Sequence, residues 1–193
     1  MDEAINYRYG IRNATISMLN TQDGTYGTPW KERGAESVEE SAPTQNSTTF
    51  YSDDGNGATV NGATGSPTIN VQFAEFSKDY NEKCLGHRTD ETTGATIKNK
   101  NDVAAPFAFG YEMQGTAKKT RVWKLGCTSS EPVASSATNG ENVTEAPQSC
   151  TLTINGNGLG DYEFVCHEGD PAFATFLDAV PTIPAQTNDG NNG

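Results

Sequence analysis

The sequence has no apolar run near the roughly 20 residues a membrane-spanning helix needs. Met1–Gly10 has neither the basic region nor the apolar stretch of a secretory signal. The expectation is a chain that folds in the cytoplasm, with its four cysteines (Cys84, Cys127, Cys150, Cys166) as free thiols. Cys-x-x-Cys pairs are absent, so Cys84-x-x-His87 and Cys166-His167 make a poor zinc frame. Neither His87 nor His167 has an obvious Ser or Cys nucleophile context, and no phosphate-binding glycine loop opens a helix. No cofactor, metal or catalytic residue is expected.

Basic residues are also missing from much of the chain. Net charge is −12, and from Glu131 to Gly193 there are nine acids and no Lys or Arg. A tight nucleic-acid groove needs cations to neutralise phosphate, so tight DNA binding is not expected. An acidic chain tolerates DNA nearby while repelling it.

What is present is mostly β pattern. Ala14–Leu19 alternates polar and apolar, Trp30–Glu40 is a weaker, charged strand, and Thr68–Phe76 carries Ile69, Val71 and Phe73 on one face. Phe107, Phe109, Tyr111 and Met113 alternate in a further strand, joined through Gln114-Gly115-Thr116 to Lys118–Cys127. Cys150, Leu152 and Ile154 alternate next, and after the turn Asn155–Gly158 the residues Tyr162, Phe164 and Cys166 read as the hairpin partner. Two short helices are expected. One is capped by Ser77, with Tyr80 and Cys84 four apart and Gly86 at its end. The other opens at Asp170-Pro171 and carries a stripe of Phe173, Phe176, Leu177 and Val180. Arg88–Asp102 reads as a polar connector.

Ser41–Pro67 stands apart. Its large apolar residues are Phe50, Tyr51 and Val60, and Asp53-Asp54-Gly55-Asn56-Gly57 and Asn61-Gly62 are turn formers. It reads as a long protruding hairpin or loop. The domain expectation is one unit over 1–185, with 41–67 as an inter-subunit loop and 186–193 as a flexible polar tail. The fold expectation is mainly β: an antiparallel sandwich or barrel-like domain with one or two short flanking helices.

The ordered segments resemble a family. Tyr9-Gly10-Ile11-Arg12-Asn13, Tyr26-Gly27-Thr28-Pro29, Gly34-Ala35 and Phe50-Tyr51-Ser52-Asp53-Asp54 come first. Phe76-Ser77-Lys78-Asp79, Leu85-Gly86, Pro106-Phe107-Ala108-Phe109, Thr120-Arg121-Val122-Trp123, Thr151-Leu152-Thr153-Ile154 and Phe176–Val180 follow. In that order they resemble the major tail tube proteins of siphophages, the phi13-type or TP901-1-type major tail proteins. The long loop departs from the pattern in being unusually polar and glycine-rich, and the extra Ig-like C-terminal domain that some relatives carry is not expected.

The resemblance implies a structural, non-enzymatic subunit of the virion tail, assembled in the host cytoplasm. It implies self-assembly into hexameric rings stacked around a tape measure protein, with tail terminator and distal tail proteins as further partners. DNA passes through the lumen without specific binding, and the chain does not insert into a membrane. Glu112 and Glu163, each on the polar face of a predicted strand, are the lumen candidates. The alternative class is a receptor- or carbohydrate-binding β-sandwich, which needs a cluster of exposed aromatics. Here the aromatics read mostly as core.

Overall fold

The computed structural model describes residues 5–43, 45–52, 55–134 and 146–182. The protein is mainly β, with antiparallel pairing throughout. The strands in chain order are β1 (Arg8–Met18), β2 (Trp30–Lys31), β3 (Ala35–Ser41), β4 (Gln45–Ser52), β5 (Gly55–Thr64), β6 (Thr68–Phe73), β7 (Arg88–Thr89) and β8 (Thr96–Ile97). They continue with β9 (Phe107–Gly115), β10 (Thr120–Ser129), β11 (Val133–Ala134), β12 (Gln148–Ile154) and β13 (Glu163–His167). The main sheet runs β2-β1-β9-β10-β12-β6-β3, with β13 paired to β10 and β11 to β12.

Strand β10 makes one sheet into two layers. Its first half, Thr120–Lys124, pairs with β13, and its last residues, Cys127–Ser129, pair with β12. The register slips between Lys124 and Cys127, where Gly126 takes φ +60°. A bulge with a glycine in the left-handed region bends a strand sharply. The backbone is so close here that a Cβ on Gly126 would lie 2.2 Å from the Gly156 carbonyl oxygen. This corrects one expectation. β12 and β13 are not a hairpin pair; the turn after Ile154 carries the chain across the bend, and both strands hydrogen-bond to β10 instead.

The core lies between the layers. Ile69, Val71 and Phe73 of β6 face Phe107, Phe109 and Tyr111 of β9, with Ile16, Val122, Leu152 and Ile154. Phe76 stacks on Tyr80 with ring centroids 4.4 Å apart. Phe76 ends the expected strand and Tyr80 belongs to the first expected helix, which begins as Ser77 Oγ accepts the Tyr80 N–H at 3.1 Å. It then widens to a single π-helical turn, Tyr80–Cys84, and ends before Gly86 at φ +77°.

The second expected helix is only a 3₁₀ turn, Phe173–Thr175, inside a run of i→i+3 bonds. Asp170 does not cap it: its carboxylate turns back to accept the His167 N–H at 2.7 Å. The apolar stripe is nonetheless used. Phe176 and Leu177 are buried with Ala108, Trp123, Leu125 and Cys166 on the other face of the sheet. The Trp123 indole N–H donates to the Phe176 carbonyl at 2.7 Å. Trp30–Glu40 is two strands, because Gly34 at φ +84° breaks it. The polar connector contains the β7–β8 ribbon.

Candidate interaction surfaces

At its start, β1 presents an unusual face. Ile5, Tyr7 and Tyr9 alternate along extended chain, and all three are more than half exposed. Their register is pinned by Asn6. Its side-chain amide donates to the Lys118 carbonyl at 2.9 Å, and its oxygen accepts the N–H groups of Ala117 and Lys118. Tyr7 N–H and Thr116 Oγ1 lie 3.0 Å apart, and Thr116 N–H returns to the Tyr7 carbonyl. Large apolar groups held outward by a built anchor mark an interaction site more than scattered surface leucines do. Sequence reading took the aromatics mostly as core. Tyr7, Tyr9 and the partly exposed Tyr162 are exceptions.

The four strands β1-β9-β10-β13 form a sheet whose two ends are open. At one end, the Arg8–Asn13 half of β1 pairs with β9, while β2 reaches only Thr15 and Ile16 on its other side. The N-terminal half of β1 comes beside β3 without pairing. Tyr9, Ile11, Val38, Tyr111 and Met113 line the groove of about 270 Å³ left there. At the other end, β13 pairs with β10 alone among the described residues. Arg8 and Arg12 are exposed at the first end. Exposed Asp161, Glu168 and Asp170 flank the second, together with the apolar Leu159, Tyr162 and Val165.

The two expected lumen residues both sit next to cations. Glu112 is buried, not on a solvated face, and its Oε2 lies 2.8 Å from Arg121 Nε. That guanidinium also donates to the Phe173 and Ala174 carbonyls, tying the C-terminal turn to the sheet. Glu163 is half-buried and lies 2.8 Å from Lys124 Nζ. Lys124 is itself buried and also meets Glu40 at 3.0 Å. Alternation in β9 puts Glu112 on the face opposite Tyr111, as expected. That face is covered by the Phe173–Val180 segment, which pattern alone did not reveal.

In the expected inter-subunit loop, β4 and β5 pair with each other as a separate two-stranded sheet. Gly55, Asn56, Gly57, Asn61 and Gly62 lie on β5, and Asn61 and Gly62 are exposed. Asp53 and Asp54 lie outside the described residues, as does the 186–193 tail. At roughly 3.3 Å per residue, strands of this length make an arm of about 25–30 Å.

The four cysteines are free and buried. Burial pushes Cys127 up to about 12 and raises Cys84, Cys150 and Cys166 as well. His87 is buried with Nδ1 2.8 Å from Asp102 and Nε2 3.1 Å from Glu131. Among the described residues no group of three or more His, Cys, Asp or Glu is placed to hold a metal ion.

No protein-family model matches the chain, and no curated protein is significantly similar to it. Among solved structures, it is similar to a chain of the PVC sheath–tube complex, an extracellular contractile injection system in its extended state. Identity is 13% over 80% of this chain and 88% of that one, with a TM-score of 0.42. Likeness at that level carries no argument about what this chain does.

Proposed function

We propose that the protein is a structural subunit of a bacteriophage tail tube. It self-assembles into stacked hexameric rings whose lumen conducts DNA. The ordered sequence resemblance supports the family, and one structural observation carries the mechanism. The sheet β1-β9-β10-β13 ends in two edges unpaired among the described residues, the Arg8–Asn13 half of β1 and β13, which are chemically unlike and run in opposite directions.

Successive antiparallel pairings make β13 antiparallel to β1. A head-to-tail ring in which β13 of one copy joins β1 of the next continues one antiparallel sheet around the circle. Closure removes the exposed edges that otherwise invite open-ended aggregation. Arg8 and Arg12 then meet the acids around β13, and Ile5, Tyr7 and Tyr9 gain apolar partners in Leu159, Tyr162 and Val165. The arm reaches the adjacent ring. A two-stranded ribbon with so little apolar surface is marginal alone, and its order comes from assembly.

Negative-stain electron microscopy of the purified protein at high concentration tests this. Rings or tubes are expected; a monodisperse monomer under all conditions overturns the proposal. The exposed tyrosines Tyr7 and Tyr9 also fit the alternative, a carbohydrate-binding surface. Glycan-array binding by a non-assembling monomer would favour that reading.

A further inference from the structure

The arm leaves one pole of the molecule, and a cationic groove lies at the other. β3 and β6 are antiparallel, and the arm continues from the end where Ser41 pairs with Thr68. At the far end Ala35 pairs with Phe73, and Ala74 N–H donates to the Gly34 carbonyl. There Lys31, Arg33 and Lys78 line a groove of about 500 Å³ with Glu75, Asn81 and Thr96. All three cations are exposed, and none forms an ion pair among the described residues. Lys78 Nζ reaches only a backbone carbonyl, that of Gly94, at 3.3 Å.

Two acids border the groove. Glu32 is buried, and its carboxylate turns inward to accept the Ser77 N–H and Oγ–H at 2.7 Å each and the Trp30 indole N–H at 3.3 Å. Glu75 is exposed. Three cations against one solvent-facing carboxylate leave the groove net positive.

The arm has the opposite character. From Ala35 to Ser77 the chain contains no Lys or Arg. Ser52 pairs with Gly55, and the two residues between them in the sequence are both aspartate, Asp53 and Asp54. We infer that the arm of one copy docks in the Lys31–Arg33–Lys78 groove of the copy in the next ring. Opposite charge at opposite poles lets identical copies stack in one direction, while head-to-head contacts meet like charge. This rests on the tube reading and adds the receiving surface to it.

The test is a charge swap in the full chain, with folding followed by circular dichroism and assembly by sedimentation and negative stain. R33E/K78E and D53K/D54K should each fold, still form rings, and yield at least tenfold less sedimenting tube than the wild type. The fourfold variant carrying both pairs of changes should recover most of the tube. Either double variant polymerising like the wild type overturns the docking, and so does a fourfold variant no better than its parents. If the wild type builds no rings or tubes at all, the proposed function fails first and takes this inference with it. Normal wild-type tubes with indifferent variants remove the docking alone.

Discussion

Buried charge is the most demanding feature at the residue scale. Lys124 is almost fully enclosed, and its ammonium is held by Glu40 and Glu163. Tyr111 donates its hydroxyl to the same Glu40 carboxylate. Burial alone would raise Glu40, but the Tyr111 and Lys124 hydrogen bonds outweigh it and hold the carboxyl below its ordinary 4.5. A depressed carboxylate contributes stability above its unfolded-state value and loses it as pH falls through the folded value. The thermal midpoint should therefore drop on acidification below about pH 4.5, and Glu40→Gln should flatten that part of the profile. An unchanged slope in the variant would show that Glu40 has no part in it. Glu112 and Arg121 make the second enclosed pair. Removing one partner strands the other, so Glu112→Ala should cost about 3 kcal/mol in denaturant unfolding. A loss under about 0.5 kcal/mol would mean that the guanidinium is satisfied by the Phe173 and Ala174 carbonyls alone. The thiols fit the same picture of enclosure. Ellman titration should find close to none reactive in the native protein and all four after denaturation without reductant. A native disulfide would lower that second count.

At the scale of elements, the bend in β10 decides the architecture. Ala in place of Gly126 would bring a Cβ to 2.2 Å from the Gly156 oxygen and hold a residue with a Cβ in the left-handed region. Gly126→Ala should destabilise the fold by at least about 2 kcal/mol. A stable, normally assembling variant would mean the bend is not needed. Gly110 is similarly constrained, because the Trp123 ring lies where its Cβ would be.

Period-two alternation made β6 and β12 legible, since one face of each is buried and the register is fixed by that face, and made β9 legible through its large apolar side chains on one face, although both of its faces are buried. The pairing of β12 and β13 was not legible. Both read as adjacent alternating runs across a glycine turn, and nothing local says that each will pair with a third strand instead. Glu112 was misplaced for a related reason. Alternation assigns a face, but only the return of the Phe173–Val180 segment decides whether that face is wet. The Ser77 cap located the first helical turn and the apolar stripe located the second, although Asp170 does not cap it. Their geometry departed from α because one ends after a single wide turn and the other is too short to nucleate. In 41–67 the Asp-Gly pair marked the end of the hairpin, where Ser52 pairs with Gly55, whereas Asn56-Gly57 and Asn61-Gly62 lie within β5 and form no turn, and the strand lengths that make it an arm were not readable. Among the described residues the arm's strands pair only with each other, so excising residues 45–64 and rejoining the chain with a short Gly-Ser link should leave the monomer folded. Tube growth should be lost. Normal growth by the shortened chain would sink the arm's assigned role.

For the proposed tube to form, the whole molecule has to reconcile strong self-repulsion with self-assembly. A chain of net charge −12 repels its copies, and salt screens that repulsion over about 10 Å at 0.1 M. Association therefore has to come from short-range contact, and exposed apolar groups supply it at both open edges of the β1-β9-β10-β13 sheet. The tyrosines at the β1 edge are the better anchors, because a rigid aromatic ring buries much area at small entropic cost. Truncating an interface aromatic commonly costs 2 kcal/mol or more of binding. That is roughly a thirtyfold loss per contact, repeated at every joint of a ring. Tyr7→Ala/Tyr9→Ala should therefore abolish rings while leaving the fold untouched, since both side chains are exposed and the Asn6 anchor is unaltered. Analytical ultracentrifugation would read a monomer where the wild type gives assemblies, with matching circular dichroism and thermal midpoint. The charge partners make a separate, graded contribution. Arg8→Glu/Arg12→Glu should weaken assembly most at low salt and less at high salt, because screened pairs matter less, whereas the tyrosine variant should fail at all salt concentrations. Rings from the double tyrosine variant at wild-type protein concentration would remove the β1 edge from the interface, and the joint between subunits would have to be sought on another face.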